Sequence, residues 1–186
     1  MKKILLTIIC CISVCLFSYA QEVEEPDFAG EVLLLKNGES VGILEKNTVQ
    51  IKTKAGASIY LTGIGSVKSR ITVEGCCAKT TVKSSDDFKF VIKAVDNNTD
   101  PIAVISIFKF EEKKKERRAE VSSASTFGGG SSNNLNYVTF SAKKYGTSSY
   151  LITLNEKQAG QYGITVKNPN ALDEKNLIVS SFAVED

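Results

Sequence analysis

The feature that most constrains this chain is its punctuation. Turn-forming residues recur at Asn37-Gly38, Lys46-Asn47, Ala55-Gly56, Gly63 to Ser66, Gly75, Ser84 to Asp87, Asn97 to Pro101, Gly146-Thr147, Ala159-Gly160 and Asn168-Pro169-Asn170. Glycine reaches backbone angles closed to other residues, and Asn and Asp close turns through their own side chains. The runs between these turns are short and rich in Val, Ile, Thr, Phe and Tyr, the composition of strands. Val49, Ile51 and Thr53 alternate with Gln50, Lys52 and Lys54, and Tyr162, Ile164 and Val166 with Gly163, Thr165 and Lys167; Phe88, Phe90, Ile92 and Ala94 share one face. A period of two gives each strand one dry and one wet face, as in antiparallel sheets. No stretch sustains a helical stripe, so the sequence predicts an all-β, antiparallel fold.

Three segments break the pattern. Ile102 to Phe110 is apolar on both faces, which requires a cover on each side, either from strands within 32–62 or from a partner. Glu111 to Arg118 interleaves five basic with three acidic residues and reads as a solvated strand end or short helical turn rather than an anion-binding patch. Ser122 to Asn134 is small, polar and Gly-rich, so 122–134 is expected to be a mobile loop.

The first 20 of the 186 residues carry an export pattern. Lys2 and Lys3 precede an apolar run from Ile4 to Phe17, and Ser18-Tyr19-Ala20 places small residues at −3 and −1 before Gln21, where a signal peptidase cuts. No small residue stands before Cys10, Cys11 or Cys15 in lipobox fashion, so the expectation is a cleaved signal peptide and an exported product, periplasmic or cell-surface/secreted. The apolar run is short for a span and no second one follows, so no transmembrane segment is expected in the mature chain. Residues 21–30 read as a disordered leader, and 31–186 as one sandwich domain with a subdivision possible near residue 66. Past the signal, 21 basic residues balance 21 acidic ones, which argues against nucleic acid or an anionic membrane as the main partner.

Export also bears on the cysteines. Only Cys76 and Cys77 remain, and adjacent α-carbons lie about 3.8 Å apart, closer than an ordinary disulfide prefers. Free thiols, a vicinal disulfide favoured by an oxidising compartment and an intermolecular bridge all stay open. Cys-x-x-Cys at a helix start, the usual redox arrangement, is absent.

Catalytic signatures are scarce. The chain has no histidine, which removes the commonest general base and the commonest metal ligand together. Gly128-Gly129-Gly130 lacks a strand before it and a helix after it, as a phosphate cradle would need. Asp86-Asp87 and Asp96/Asp100 are the available carboxylate pairs, and both stand where turns favour Asp; Asp96 to Asp100 lacks the Gly and distal Glu of a calcium loop. No enzyme, cofactor or metal is expected.

The last third carries a resemblance. A strand from Tyr150 to Leu154 is followed by Ala159-Gly160-Gln161-Tyr162-Gly163-Ile164 and by a final strand from Leu177 to Val184. This resembles the end of an immunoglobulin-like sandwich, in which a Tyr hydroxyl caps the corner; Tyr162 holds that structural position, while Ile164 stands where the inter-sheet cysteine would be. Residues 65–186, with Gly160-Gln161-Tyr162 and Phe182-Ala183-Val184-Glu185-Asp186, also resemble exported Bacteroidetes β-sandwich proteins of unknown activity. The resemblance implies an immunoglobulin-like β-sandwich and no chemistry. The expected function is therefore non-catalytic work in the cell envelope through protein or surface contacts. The alternative is a carbohydrate-binding module using the loop aromatics Tyr145 and Phe127. An assembly component would depend on strand 102–110, a glycan binder on Tyr145.

Overall fold

The computed structural model describes residues 23–62, 64–125, 131–167 and 176–186. The export segment 1–20 and Phe127 lie outside them. Thirteen strands and two short helices follow in order: β1 (Val32–Lys36), β2 (Glu39–Ile43), β3 (Glu45–Ala55), α1 (Ala57–Thr62), β4 (Ser66–Glu74), β5 (Thr81–Lys83), β6 (Phe88–Lys93), α2 (Pro101–Val104), β7 (Ile105–Glu112), β8 (Glu116–Ser125), β9 (Ser131–Asn133), β10 (Phe140–Tyr145), β11 (Ser149–Leu154), β12 (Gly160–Val166) and β13 (Asn176–Glu185). The fold is all-β, and every pairing but one is antiparallel.

The architecture departs from a sandwich. One sheet is open and five-stranded, in the order β10-β11-β6-β1-β2. In the other, β12, β7, β8, β4, β3 and β13 pair in succession and β13 pairs back onto β12, which closes a six-stranded barrel. Long-range pairing makes the closure: Leu177 lies opposite Val49 on β3, and Tyr162 opposite Phe182 on β13. β5 continues the line of β3 along β13 as the parallel exception. Closure removes the free edges that an immunoglobulin-like sheet would keep.

Two cores result. Inside the barrel, Val49, Ile71, Val73, Phe108, Phe110, Ala119 and Val179 pack together. Between barrel and open sheet, Val32, Leu34, Phe88, Phe90, Ile92 and Ile152 meet Ile105, Ile107, Tyr162, Ile164 and Phe182. β7 and β13 face both cores, which answers the two-faced run near 102–110. Its first residues depart from the expected strand: Pro101–Val104 is a helical turn, capped by the Asp100 carboxylate accepting from the Ile102 amide at 3.0 Å. An Asp followed by Pro is a helix start.

β7 and β8 pair only at Glu111–Arg118 and Glu112–Arg117 and then diverge. The gap is filled by β9, which lies within the expected loop 122–134, and by the chain that follows it. β9 pairs with Ser122 to Ala124, the Lys109 amide donates to the Asn136 carbonyl at 2.9 Å, and the Val138 amide to Ile107 at 2.8 Å. Residues on both sides of position 66 contribute to both sheets: those before it supply β1 and β2 to the open sheet and β3 to the barrel. Within 21–30, Val23 packs against Leu33, Leu35 and Val91 on the outer face of the open sheet, and the Gly30 amide donates to the Lys93 carbonyl at 2.8 Å.

Candidate functional site

The expected site residues do not converge. Cys76 and Cys77 lie in the bend between β4 and β5, and their sulfurs are bonded to each other; the next residue, Ala78, donates its amide to the Gln161 side chain at 2.8 Å. Tyr162 is buried, stacks on Phe182 and donates its hydroxyl to the Gln158 carbonyl, four residues upstream as in a tyrosine corner. Burial, reinforced by the negative charge of Glu156, pushes the Tyr162 phenol up to about 12. Tyr145 is half-buried against the cluster of Leu33, Leu35 and Val91, and its hydroxyl donates to the Val23 carbonyl. It is packing, not the exposed platform that sugar stacking needs.

The acidic pairs are held by structural partners. Asp86 accepts from the Lys83 amide at 2.9 Å and pairs with Lys36 at 2.8 Å; the Lys36 hydrogen bond comes first among the causes that hold its carboxyl below the usual range. Asp96 accepts from the Asn98 amide. Buried Asn97 directs its amide nitrogen at the carbonyls of Tyr145, Gly146 and Ser149. Among the described residues no group of three or more His, Cys, Asp or Glu is placed to hold a metal ion, and no helix is long and apolar enough to cross a membrane.

Three other surfaces stand out. The first is the β3–β4 hairpin with α1 at its tip. From Lys46 to Val73 the sequence holds five basic residues and no acidic one. Lys46 pairs with Glu31, while Lys68 and Arg70 pair with Glu120. Lys52 and Lys54 have no ion-pair partner among the described residues and line the exposed stretch of β3. At the tip, Tyr60 is 79% exposed, Leu61 85% and Ile64 46%, although apolar side chains of this size normally find cover. Gly65 makes the tight tip feasible, since a β-carbon there would lie 2.6 Å from side-chain atoms of Ser58 and Ile59.

The second is a groove of about 1170 Å³ between the leader and the β1–β2 hairpin. Val23, Pro26, Phe28, Leu33 and Ile43 give it apolar walls, and Glu24, Asp27 and Glu39 make it acidic. Phe28 and nearby Val41 are 68% and 59% exposed. Glu25, also on this groove, is engaged elsewhere: it accepts from the amides of Thr147 and Ser148 and the Ser149 hydroxyl, and pairs with Lys93. Desolvation pushes its carboxyl up, but those hydrogen bonds together outweigh it and bring the value down to about 2.

The third is a pair of shallow clefts, about 280 and 290 Å³, that share Lys109 and Asn136 where β7 and β8 diverge. Tyr137, 51% exposed, borders one of them. None of these surfaces was singled out from the sequence. The unbroken cation-only stretch 46–73 was the available signal for the hairpin, and the balanced total charge hid it. No protein-family model, curated protein or solved structure matches the chain, so its own geometry carries the functional reading.

Proposed function

We propose that this chain is an exported, non-catalytic component of the cell envelope that works by protein contact, with the β3–β4 hairpin as its contact end. The observation that carries this reading is the exposure of Tyr60, Leu61 and Ile64 at the tip, beside Lys52 and Lys54, which have no ion-pair partner among the described residues. A folded domain gains nothing within itself from leaving such a patch in water, and contiguous exposed apolar surface marks an interaction site. The export pattern of residues 1–20 and the histidine-free composition support the envelope and non-catalytic parts of the reading. Strand 102–110 is less suited to that role, because Ile105, Ile107, Phe108 and Phe110 are divided between the two cores.

A second reading, glycan binding, is favoured by Tyr137 at the mouth of a cleft that also holds Lys109, Glu156 and Gln158. Half-exposed aromatic rings flanked by hydrogen-bonding groups suit sugar faces. Two variants separate the readings. Leu61→Asp should abolish retention of residues 21–186 by envelope fractions of the source cells, with Tyr137→Ala without effect. Loss with Tyr137→Ala alone, together with competition by soluble glycan, would replace protein contact with sugar binding.

A further inference from the structure

Resting on that reading, we propose that the partner of the hairpin tip is a second copy of this chain, which receives it in the acidic groove between the leader and β1–β2. Eleven large apolar side chains of the described residues are exposed, and seven of them lie in two places. Phe28 and Ile43 line the groove and Val41 lies on the same strand as Ile43, whereas Ile51, Tyr60, Leu61 and Ile64 belong to the hairpin. The two places carry opposite charge. Residues 21–31 hold five carboxylates and no cation, and residues 46–73 hold five cations and no carboxylate. Glu24, Asp27 and Glu39 have no cation partner among the described residues, as Lys52 and Lys54 have no carboxylate.

One molecule cannot join its own ends. β3 leaves the groove side at Glu45 and runs eleven residues to Ala55, about 33 Å at strand rise, carrying the tip away from Ile43. Contact between two copies covers both apolar patches and pairs both charge sets at once. It is heterologous, tip into groove, so each added copy still offers one free tip and one free groove, and the assembly grows as an open chain. Complementary charge at the rim makes the contact sensitive to salt.

The test uses sedimentation velocity on residues 21–186 across protein and salt concentration. The wild type should show an average mass that keeps rising with concentration and falls on adding salt. Leu61→Asp, which blocks the tip, and Asp27→Lys combined with Glu39→Lys, which blocks the groove, should each weaken association tenfold or more. Unchanged melting of both variants shows that the fold is kept. Mixed in equal amounts, they retain one good tip and one good groove between them and should form a dimer that grows no further. A wild type that stays monomeric to about 1 mM, the weak end of association, overturns the proposal, as does a mixture that fails to pair. Monomeric wild type that sediments with phosphatidylglycerol vesicles, and loses this with Leu61→Asp, assigns the tip to lipid and also overturns it. Loss of self-association with envelope retention still dependent on Leu61 would leave the contact reading standing without this partner. Indifference of both measurements to Leu61→Asp would remove the contact reading itself.

Discussion

Glu25 shows how one carboxylate can fasten a segment that composition alone marks as loose. Its two oxygens take amides from Thr147 and Ser148, hydroxyls from Thr147 and Ser149, and the Lys93 ammonium. The folded state holds its pKa at about 2 against an ordinary 4.5. A depressed carboxylate stabilises the fold above its unfolded value and loses that contribution as pH falls through the folded one. Glu25→Gln should therefore cost roughly 1–2 kcal/mol near neutral pH, the scale of hydrogen bonds to a charged group at a partly exposed position. The difference from wild type should shrink between 4.5 and about 2. Urea unfolding at both ends of that range measures it, and a pH-independent difference would contradict the assignment. Nothing in the string QEVEEPDFAG distinguishes Glu25 from its neighbours, because its partners lie 68 to 124 residues away. Arg117 was hidden in the same way: it lies in the charged run 111–118, yet is 2% exposed with its guanidinium on Glu45.

At the scale of elements, alternation was the readable signal. Tyr162, Ile164 and Val166 do face the core shared with the open sheet, and Gly163 faces the barrel interior. The reason for a glycine there is packing: a β-carbon would lie 2.8 Å from ring atoms of both Phe108 and Phe110. Gly163→Ala should destabilise by about 1–3 kcal/mol, the usual cost of overfilling a packed interior, read as a shift in the denaturation midpoint. The hairpin behaves oppositely. Leu61 touches no core, so Leu61→Asp should stay within about 0.5 kcal/mol of wild type, and a larger loss would mean that the tip belongs to the fold rather than to a partner. What alternation could not reveal was which strands pair. The closure of β13 onto both β12 and β3 is set by contacts remote in sequence, and the short β9 lies in a stretch too polar to announce a strand.

For the whole molecule, the shared wall decides the mechanics. β7, β12 and β13 supply side chains to the space between the layers, and β7 and β13 also to the barrel interior, so neither core can open while the other stays packed. Barrel and open sheet should unfold in one transition, with far-ultraviolet dichroism and tyrosine fluorescence giving coincident curves. Separate curves would mean two independent units. Charge, by contrast, is divided: the balanced total conceals a cationic hairpin at one end and an acidic groove at the other. That division, with the apolar side chains exposed at both ends, equips the molecule for contact with a partner. Such contact is tested most directly by placing a photo-crosslinking residue at position 61 and, as a control, at exposed position 143 on β10, in cells that make the full chain. Discrete protein adducts are expected from position 61 and none above background from position 143. Equal labelling from both positions would contradict contact through the tip.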